Sequence, residues 1–168
     1  MPGSGSGTYV LYVYAACLAA HGAFASTAIG RAYVDATGRA HVVYEDGRDT
    51  RVPAEKDQVS CDKPAIAPDR RTAGWLVNVP NCCTSYPVPI TLVIYRSGRV
   101  IARIGDGMML YGWKFVDGGR KVAVSSGTVH GMTFVHFTLY EASTGKLLAT
   151  WDGHEDDTPP DWGTGINH

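Results

Sequence analysis

The second half of this chain repeats itself, and that repeat constrains its fold more than any other feature. Asp69 and Asp117 lie 48 positions apart, and Gly98 and Gly145 lie 47 positions apart, each pair within similar short segments. A fixed period of about 40 to 50 residues is typical of four-stranded units in an array. The spacing predicts units of two hairpins, the first turning on an Asp-containing loop and the second on a glycine.

The chain from Arg31 onward also favours β-structure. From Arg31 onward, short runs rich in β-forming residues alternate with Gly or Asp turn signals, and no stretch keeps the 3.6-residue apolar spacing of a helix. We therefore predict an all-β fold of antiparallel meanders arranged as about three propeller-like blades, with an open β-sandwich as the alternative. Residues 74–79 and 90–95 are apolar enough on both faces to be central strands, whereas residues 53–63 are polar and irregular.

The N-terminus predicts export. Residues 9–20 form an apolar run of signal-peptide length, and residues 23–25 read Ala-Phe-Ala, which fits the small-x-small cleavage pattern after Ala25. We expect residues 1–25 to be a signal peptide and the protein to be periplasmic or extracellular. An uncleaved membrane anchor over residues 9–29 and a lipid anchor at Cys17 are the alternatives.

Size and charge limit the classes of function. Removal of residues 1–25 from the 168-residue chain leaves a single β domain over 26–151 and an acidic coil tail over 152–168. Fifteen basic and sixteen acidic side chains give a net charge of −1. Because a nucleic-acid binder needs a basic excess to displace counterions, we expect no nucleic-acid partner. Membrane contact is expected only if the N-terminal segment stays uncleaved.

Three cysteines remain in the mature chain, and an exported context favours disulfide chemistry. A bridge from Cys61 to Cys82 or Cys83 closes a loop of about twenty residues, which stabilises by roughly 3 kcal/mol. A strained ring between the adjacent Cys82 and Cys83 would instead make residues 80–87 a rigid recognition surface. Reduced thiols and an intermolecular bridge are the remaining alternatives.

Two segments carry a resemblance to a known family. Residues 66–69 read Ile-Ala-Pro-Asp ahead of Gly-Trp-Leu at 74–76, and residues 139–148 contain a Thr-Gly-Lys turn. Here the sequence resembles the blades of periplasmic TolB-type, WD-repeat-like β-propellers. Residues 57–151 are also similar to a class of uncharacterised exported bacterial proteins, in which Asn-Cys-Cys-Thr-Ser-Tyr-Pro at 81–87 forms the connecting loop.

The resemblance implies a fold and a location but no activity. It departs from the propeller pattern at Arg70, where glycine is usual, and three blades are fewer than the four of the smallest rings. Exposed sheet edges would then be left, and proteins must cover, charge or pair such edges. The sequence leaves open a dimer that completes a six-bladed ring, a sandwich, or edges capped by residues 53–63 and the tail.

No strong catalytic or phosphate-binding motif is present, so we lean against an enzyme and expect no cofactor. Ser126 and His130 are weak candidates for a hydrolase-like nucleophile and base, with carboxylates from the acidic tail. Asp152, Asp156 and Asp157 are weak metal candidates, since they lack the spacing of a calcium loop.

Aromatic and loop residues suggest a binding surface instead. Tyr86 is held between prolines and cysteines, and rigid aromatic side chains make good contact residues. Asn81 and Trp75 are the other binding candidates. We therefore expect a non-catalytic exported binding or assembly module that uses sheet edges or the Cys82–Cys83 loop to engage a protein partner or another copy of itself. A small hydrolase-like enzyme and a self-assembling extracellular fibre subunit are the alternatives.

Overall fold

The chain folds into three antiparallel sheets, each made of strands that are consecutive in sequence. The computed structural model describes residues 28–82, 84–130, 134–154 and 156–166. Its strands are β1 (Ile29–Val34), β2 (Ala40–Tyr44), β3 (Asp49–Arg51), β4 (Ser60–Ile66), β5 (Thr72–Val79), β6 (Val88–Arg96), β7 (Arg99–Ile104), β8 (Met109–Val116), β9 (Lys121–Gly127), β10 (Phe134–Glu141) and β11 (Leu147–His154). Sheet 1 comprises β1 to β3, sheet 2 comprises β4 to β7, and sheet 3 comprises β8 to β11.

This architecture confirms the predicted all-β class and its antiparallel meanders. None of the three sheets closes on itself. The division into one three-stranded and two four-stranded units also agrees with the repeat found in the sequence. Both the blade arrangement and the open sandwich are compatible with these three sheets.

Turn chemistry explains the period of the repeat. Gly98 and Gly145 occupy the β6–β7 and β10–β11 hairpins with φ of 81° and 70°, a region that glycine enters without steric cost. Asp69 opens the β4–β5 turn by accepting hydrogen bonds from the backbone N–H groups of Arg71 and Thr72, at 2.9 and 3.0 Å. Asp117 begins the corresponding β8–β9 connection, a 3-10 turn over Asp117–Gly119.

Sheet 2 is the middle layer of the molecule and is buried on both faces. Successive side chains of a strand point to opposite faces, so Trp75 and Val77 enter a cluster with sheet 1 while Leu76 enters a cluster with sheet 3. On β6, Val93 and Ile94 divide in the same way. The near-continuous apolar runs of β5 and β6 therefore reflect two buried faces, as the sequence predicted.

The C-terminal segment covers the outer face of sheet 3. Trp162 and Ile166 pack against a cluster that includes Phe137, with the Trp162 and Phe137 rings 6.5 Å apart and nearly perpendicular. Lys114 on β8 donates a hydrogen bond to the Thr164 carbonyl oxygen. The structure differs from the predicted coil tail over residues 152–168 in two respects. Strand β11 continues to His154, and the described residues after it form a packed cover.

Strand β4 begins inside the segment 53–63, which the sequence analysis described as irregular. Its register with β5 shifts between Asp62 and Ala65, so the strand bulges there. Lys63 adopts a φ of 46° at the bulge. Pro64 can follow because β4 is an edge strand, where a missing backbone N–H costs no ladder hydrogen bond.

The predicted signal peptide over residues 1–25, and Cys17 within it, lie outside the described residues. In the part of the chain that the structure describes, no helix is long and apolar enough to cross a membrane.

Candidate functional site

A cavity of about 570 Å³ lies where the β3–β4 connection passes over the face of sheet 2 that also carries sheet 1. Ligand pockets typically enclose 300 to 1,000 Å³, about this size. The lining residues are Glu55, Lys56, Asp57, Val77, Val79, Pro80, Ile90, Thr91 and Arg103. The cavity thus draws on the β3–β4 connection and on three neighbouring strands of sheet 2.

The floor of the cavity is apolar because of strand alternation. Val77 and Val79 are two residues apart on β5, so both point to the same face. Thr91 on β6 stands directly opposite Val77. The register between β5 and β6 shifts after Val77, which leaves Ile90 as an extra residue and brings it into the lining.

An ion pair closes one wall. Arg103 Nε donates to Glu55 Oε2 at 2.7 Å, and Nη2 donates to Oε1 at 2.9 Å, a two-point geometry that planar guanidinium and carboxylate groups favour. The hydrogen bonds that Arg103 donates to Glu55 raise the pKa of Arg103 above its ordinary value. Because residue 55 is on the loop and residue 103 is on β7, this pair fastens the loop to the sheet.

The same loop is held at a second point. Gln58 Oε1 accepts a hydrogen bond from the Glu55 backbone N–H at 3.0 Å, and Gln58 Nε2 donates to the Gly38 carbonyl oxygen at 3.4 Å. Between these anchors, Asp57 adopts a φ of 58°, a left-handed conformation that aspartate tolerates better than most residues. Lys56 and Asp57 are exposed at the rim.

Formal charges in the lining cancel. Glu55 and Asp57 are acidic, Lys56 and Arg103 are basic, and the other five lining residues are uncharged. Since Glu55 and Arg103 already bind each other, neither charge needs a counter-ion from a ligand. The cavity therefore offers an apolar floor and an electrically balanced rim.

The predicted recognition loop joins the two strands that form the cavity floor. β5 ends at Val79 and β6 starts at Val88, and the two strands pair. Tyr86 is 54% exposed, and the Thr84 hydroxyl donates to its carbonyl oxygen at 2.6 Å. Asn81 is half-buried. The loop thus presents one large aromatic side chain to solvent beside the cavity.

The predicted disulfide from Cys61 does not form in this structure. Cys61 is a free thiol, 6% exposed within the cluster between sheets 1 and 2, and no disulfide forms among the described cysteines. Cys82 is exposed on the loop. The Cys61 side chain lies in the apolar core, and burial raises its pKa to about 11. Cys83 lies outside the described residues.

Trp75 lies in the core and presents no surface to a ligand. It is 2% exposed, and its ring is 5.9 Å from that of Tyr95 in the cluster beneath sheet 1. It is two positions before the floor residue Val77 on the same face of β5.

The structure does not bring Ser126 and His130 together. Ser126 is 1% exposed, and its Oγ makes no hydrogen bond with any group in the described part of the chain. His130 lies exposed in the turn after β9. A serine nucleophile needs a base within hydrogen-bond reach, so the predicted pair lacks that geometry.

A different histidine faces the carboxylates. His136 stands opposite Ser126 on β9 and opposite Asp152 on β11. Its Nδ1 lies 2.5 Å from Asp152 Oδ1, and its Nε2 lies 4.0 Å from Asp106 Oδ2. The sequence analysis missed this group because residues 106, 136 and 152 meet only through strand register.

The acidic tail residues serve local structure. Asp157 Oδ2 accepts a hydrogen bond from the His154 backbone N–H at 2.7 Å, which closes the turn after β11. Asp152 binds His136, and Asp156 is exposed. In the described ranges, no group of three or more His, Cys, Asp or Glu side chains is placed to hold a metal ion.

A second histidine network covers the outer face of sheet 1. His41 places Nδ1 2.9 Å from Asp49 and Nε2 3.1 Å from Asp35, and its ring stacks on Tyr33 at 4.8 Å. Hydrogen bonds from the Tyr33 hydroxyl and then from His41 lower the pKa of Asp49. The polar groups of this face thus largely satisfy one another.

Comparisons with known proteins return no match, either to a protein-family model or to a curated protein.

Proposed function

We propose that the chain is an exported, non-catalytic binding module whose ligand enters the cavity between the β3–β4 connection and sheet 2. The observation that carries this proposal is the cavity itself, about 570 Å³ with an apolar floor and a loop fastened over it. Apolar pockets with a few placed polar groups are the usual form of small-ligand sites. The loop over residues 80–87, with exposed Tyr86, extends the same surface and offers an aromatic contact beside it.

The balanced charge of the lining favours an uncharged ligand. An ionic ligand would have to compete with the Glu55–Arg103 pair or leave a charge poorly solvated, which is costly away from water. An uncharged, mainly apolar ligand gains from burial on Val77, Val79 and Ile90 without that cost. Apolar side chains of an uncharged peptide segment meet the same requirement.

A non-catalytic role is supported by the chemistry around the cavity. Among the described residues, its lining includes no serine, cysteine or histidine. The histidine that approaches a carboxylate, His136, belongs to sheet 3, whereas the cavity lies on the sheet 1 side of sheet 2.

Cavity filling tests the proposal. Thr91 is a half-buried floor residue, and Thr91→Phe should fill the space above Val77. Thr50→Phe is the matched control, because Thr50 is also half-buried, on β3, and is not among the residues that line the cavity. The probes are Nile red, which is uncharged, and anilinonaphthalene sulfonate, which is anionic.

We expect Nile red to bind the natural chain and the Thr50→Phe control, and to bind Thr91→Phe at least about tenfold more weakly. Thermal unfolding of each variant establishes that it is folded. Equal Nile red affinity in the two variants, or stronger binding of the anionic probe, would refute the cavity as an apolar ligand site.

Export is the second part of the proposal and is supported by the apolar run over residues 9–20 with the Ala-Phe-Ala pattern at 23–25. N-terminal sequencing of material secreted by a bacterial host tests it. A mature chain that starts at Ser26 supports export, whereas retention of the intact chain in the cytoplasm contradicts it.

A further inference from the structure

The cavity beneath the β3–β4 connection has one neutral hydrogen-bonding side chain among its described lining residues. Four of those nine residues are charged, four are aliphatic or proline, and the remaining one is Thr91. Ligand pockets are mostly apolar and fix the orientation of a ligand through a few placed polar groups. Thr91 is therefore the residue suited to recognise a neutral polar group on a ligand.

Strand pairing places the Thr91 side chain in the middle of the cavity floor. Thr91 on β6 stands directly opposite Val77 of β5, so the two side chains project from the same face of sheet 2. On the other side of β6, Leu92 pairs with Ile104, which makes Gly105 the neighbour of Thr91. A Cβ added to Gly105 would lie 3.6 Å from the Thr91 Cα. Because residue 105 is glycine, no side chain stands beside Thr91 from that position.

The charged groups of the lining are committed elsewhere. Arg103 donates hydrogen bonds to both carboxylate oxygens of Glu55, at 2.7 and 2.9 Å. Lys56 and Asp57 are exposed at the rim, where water competes for their hydrogen bonds. A ligand on the floor can thus bind the hydroxyl group without breaking the ion pair.

The Thr91 hydroxyl is available for such a bond. The residue is half-buried, and its hydroxyl makes no hydrogen bond to another group in the described part of the chain. A threonine hydroxyl has one hydrogen to donate and two lone pairs that accept. A ligand that covers this group without bonding to it removes its water and leaves it unsatisfied, which weakens binding.

We propose that the ligand of this cavity is an uncharged molecule with a hydroxyl or carbonyl oxygen on an apolar body, and that Thr91 selects for that oxygen. The apolar body lies on Val77, Val79 and Ile90, and the oxygen shares a hydrogen bond with the Thr91 hydroxyl. This inference rests on the proposed function, because it assigns the ligand class of the same cavity.

The selection works mainly by rejecting the wrong ligand. A site that hydrogen-bonds a ligand oxygen discriminates against an analogue without it, since the protein group is then buried without a partner. A plain hydrocarbon of the same shape incurs this cost at Thr91. Valine has the shape of threonine without the hydroxyl, so replacing Thr91 by valine should remove the cost and the preference together.

A pair of matched compounds and a pair of matched variants test the proposal on the full chain. Benzyl alcohol and ethylbenzene have nearly the same shape and differ in a hydroxyl in place of a methyl group. Thr91→Val removes the protein hydroxyl, and Thr91→Ser keeps it. Thr50→Val is the control, because Thr50 is also half-buried and is not among the residues that line the cavity.

Nuclear magnetic resonance titration of the ¹⁵N-labelled chain measures each dissociation constant from the amide shifts of Val77 and Ile90. We expect Thr91→Val to bind benzyl alcohol about fivefold more weakly, the effect of one net hydrogen bond, and to bind ethylbenzene at least as tightly as the natural chain. Thr91→Ser and Thr50→Val should keep the natural ratio of the two constants. Thermal unfolding establishes that each variant is folded.

The outcomes separate this inference from the proposed function. If neither compound shifts the Val77 and Ile90 amides of the natural chain up to its solubility limit, the cavity is not an apolar ligand site and both proposals fail. If both compounds bind but Thr91→Val leaves the ratio of their constants unchanged, the cavity holds ligands and only the role of Thr91 is overturned. Loss of the natural ratio in Thr91→Ser also overturns that role, because this variant retains the hydroxyl.

Discussion

Asp62 provides the sharpest test of how burial and charge act in this fold. It lies on β4 opposite Leu76, on the face of sheet 2 that packs toward sheet 3. Its Oδ1 is buried and makes no hydrogen bond with any described group, while Oδ2 accepts a weak one from Asn78 Nδ2 at 3.5 Å. Burial therefore raises the pKa of this carboxyl above its usual 3.8, because the charged form loses hydration.

The change that we propose is Asp62→Asn, which keeps the shape and removes the charge. A buried polar atom without a partner costs about 1 to 3 kcal/mol, and more when charged. Asp62 is half-buried, so the lower end applies. We expect Asp62→Asn to raise the free energy of unfolding by about 1 kcal/mol near neutral pH.

The pH dependence has a definite sign. Because the folded-state pKa of Asp62 is raised, its contribution to stability is complete below the unfolded-state value of 3.8 and is lost as the pH rises through the folded-state value. The advantage of Asp62→Asn over the natural chain should therefore grow with pH and then level off.

Urea unfolding from about pH 3 to about pH 8, a range that starts below the unfolded-state pKa, measures this difference. Asp156→Asn, at an exposed aspartate in the turn after β11, is the matched control and should leave stability within about 0.5 kcal/mol. The reasoning fails if Asp62→Asn is less stable than the natural chain at neutral pH, or if its advantage does not change with pH.

Two further predictions follow from burial and close packing. Iodoacetamide should alkylate Cys61 far more slowly than the exposed Cys82, because Cys61 is buried and its pKa is raised to about 11. Peptide mass spectrometry compares the two rates, and equal rates would contradict the position of Cys61 in the core. Gly105→Ala should lower stability by about 1 to 3 kcal/mol, because its Cβ would lie 2.2 Å from the Ile90 carbonyl oxygen beside the cavity floor. Gly30→Ala is the control, since its Cβ would have no contact under 3.7 Å and stability should change little. Urea unfolding compares the two variants.

Local patterns allowed much of the fold to be predicted from sequence. The glycines at 98 and 145 mark hairpins because only a few residue types accept positive φ, and that constraint is visible in one sequence. The doubly apolar runs around Trp75 and Val93 identified the buried middle sheet for a similar reason. β4 was missed because its bulge and Pro64 interrupt the alternation on which strand prediction depends.

The candidate site could not be predicted in the same way. Glu55 and Arg103 are 48 residues apart, and their pairing follows from how a loop crosses a sheet. His136 and Asp152 meet because of strand register, which a single sequence does not specify. The cysteines were misleading for a physical reason: Cys61 alternates with the polar residues of β4, and that alternation directs its side chain into the core.

The sequential order of the sheets has a consequence for how the molecule forms. Each sheet uses only strands that are adjacent in the chain, so each can assemble as its own segment leaves the ribosome or a translocation channel. Sheet 2 becomes fully buried only when β8 and β9 arrive to cover its second face. Phe137 and Trp151 stay uncovered for longer, because Trp162 and Ile166, which pack against them, are synthesised after all the strands. During that interval the newly made chain presents an open aromatic surface, and this is the stage at which we expect it to be most prone to capture by chaperones or by its neighbours.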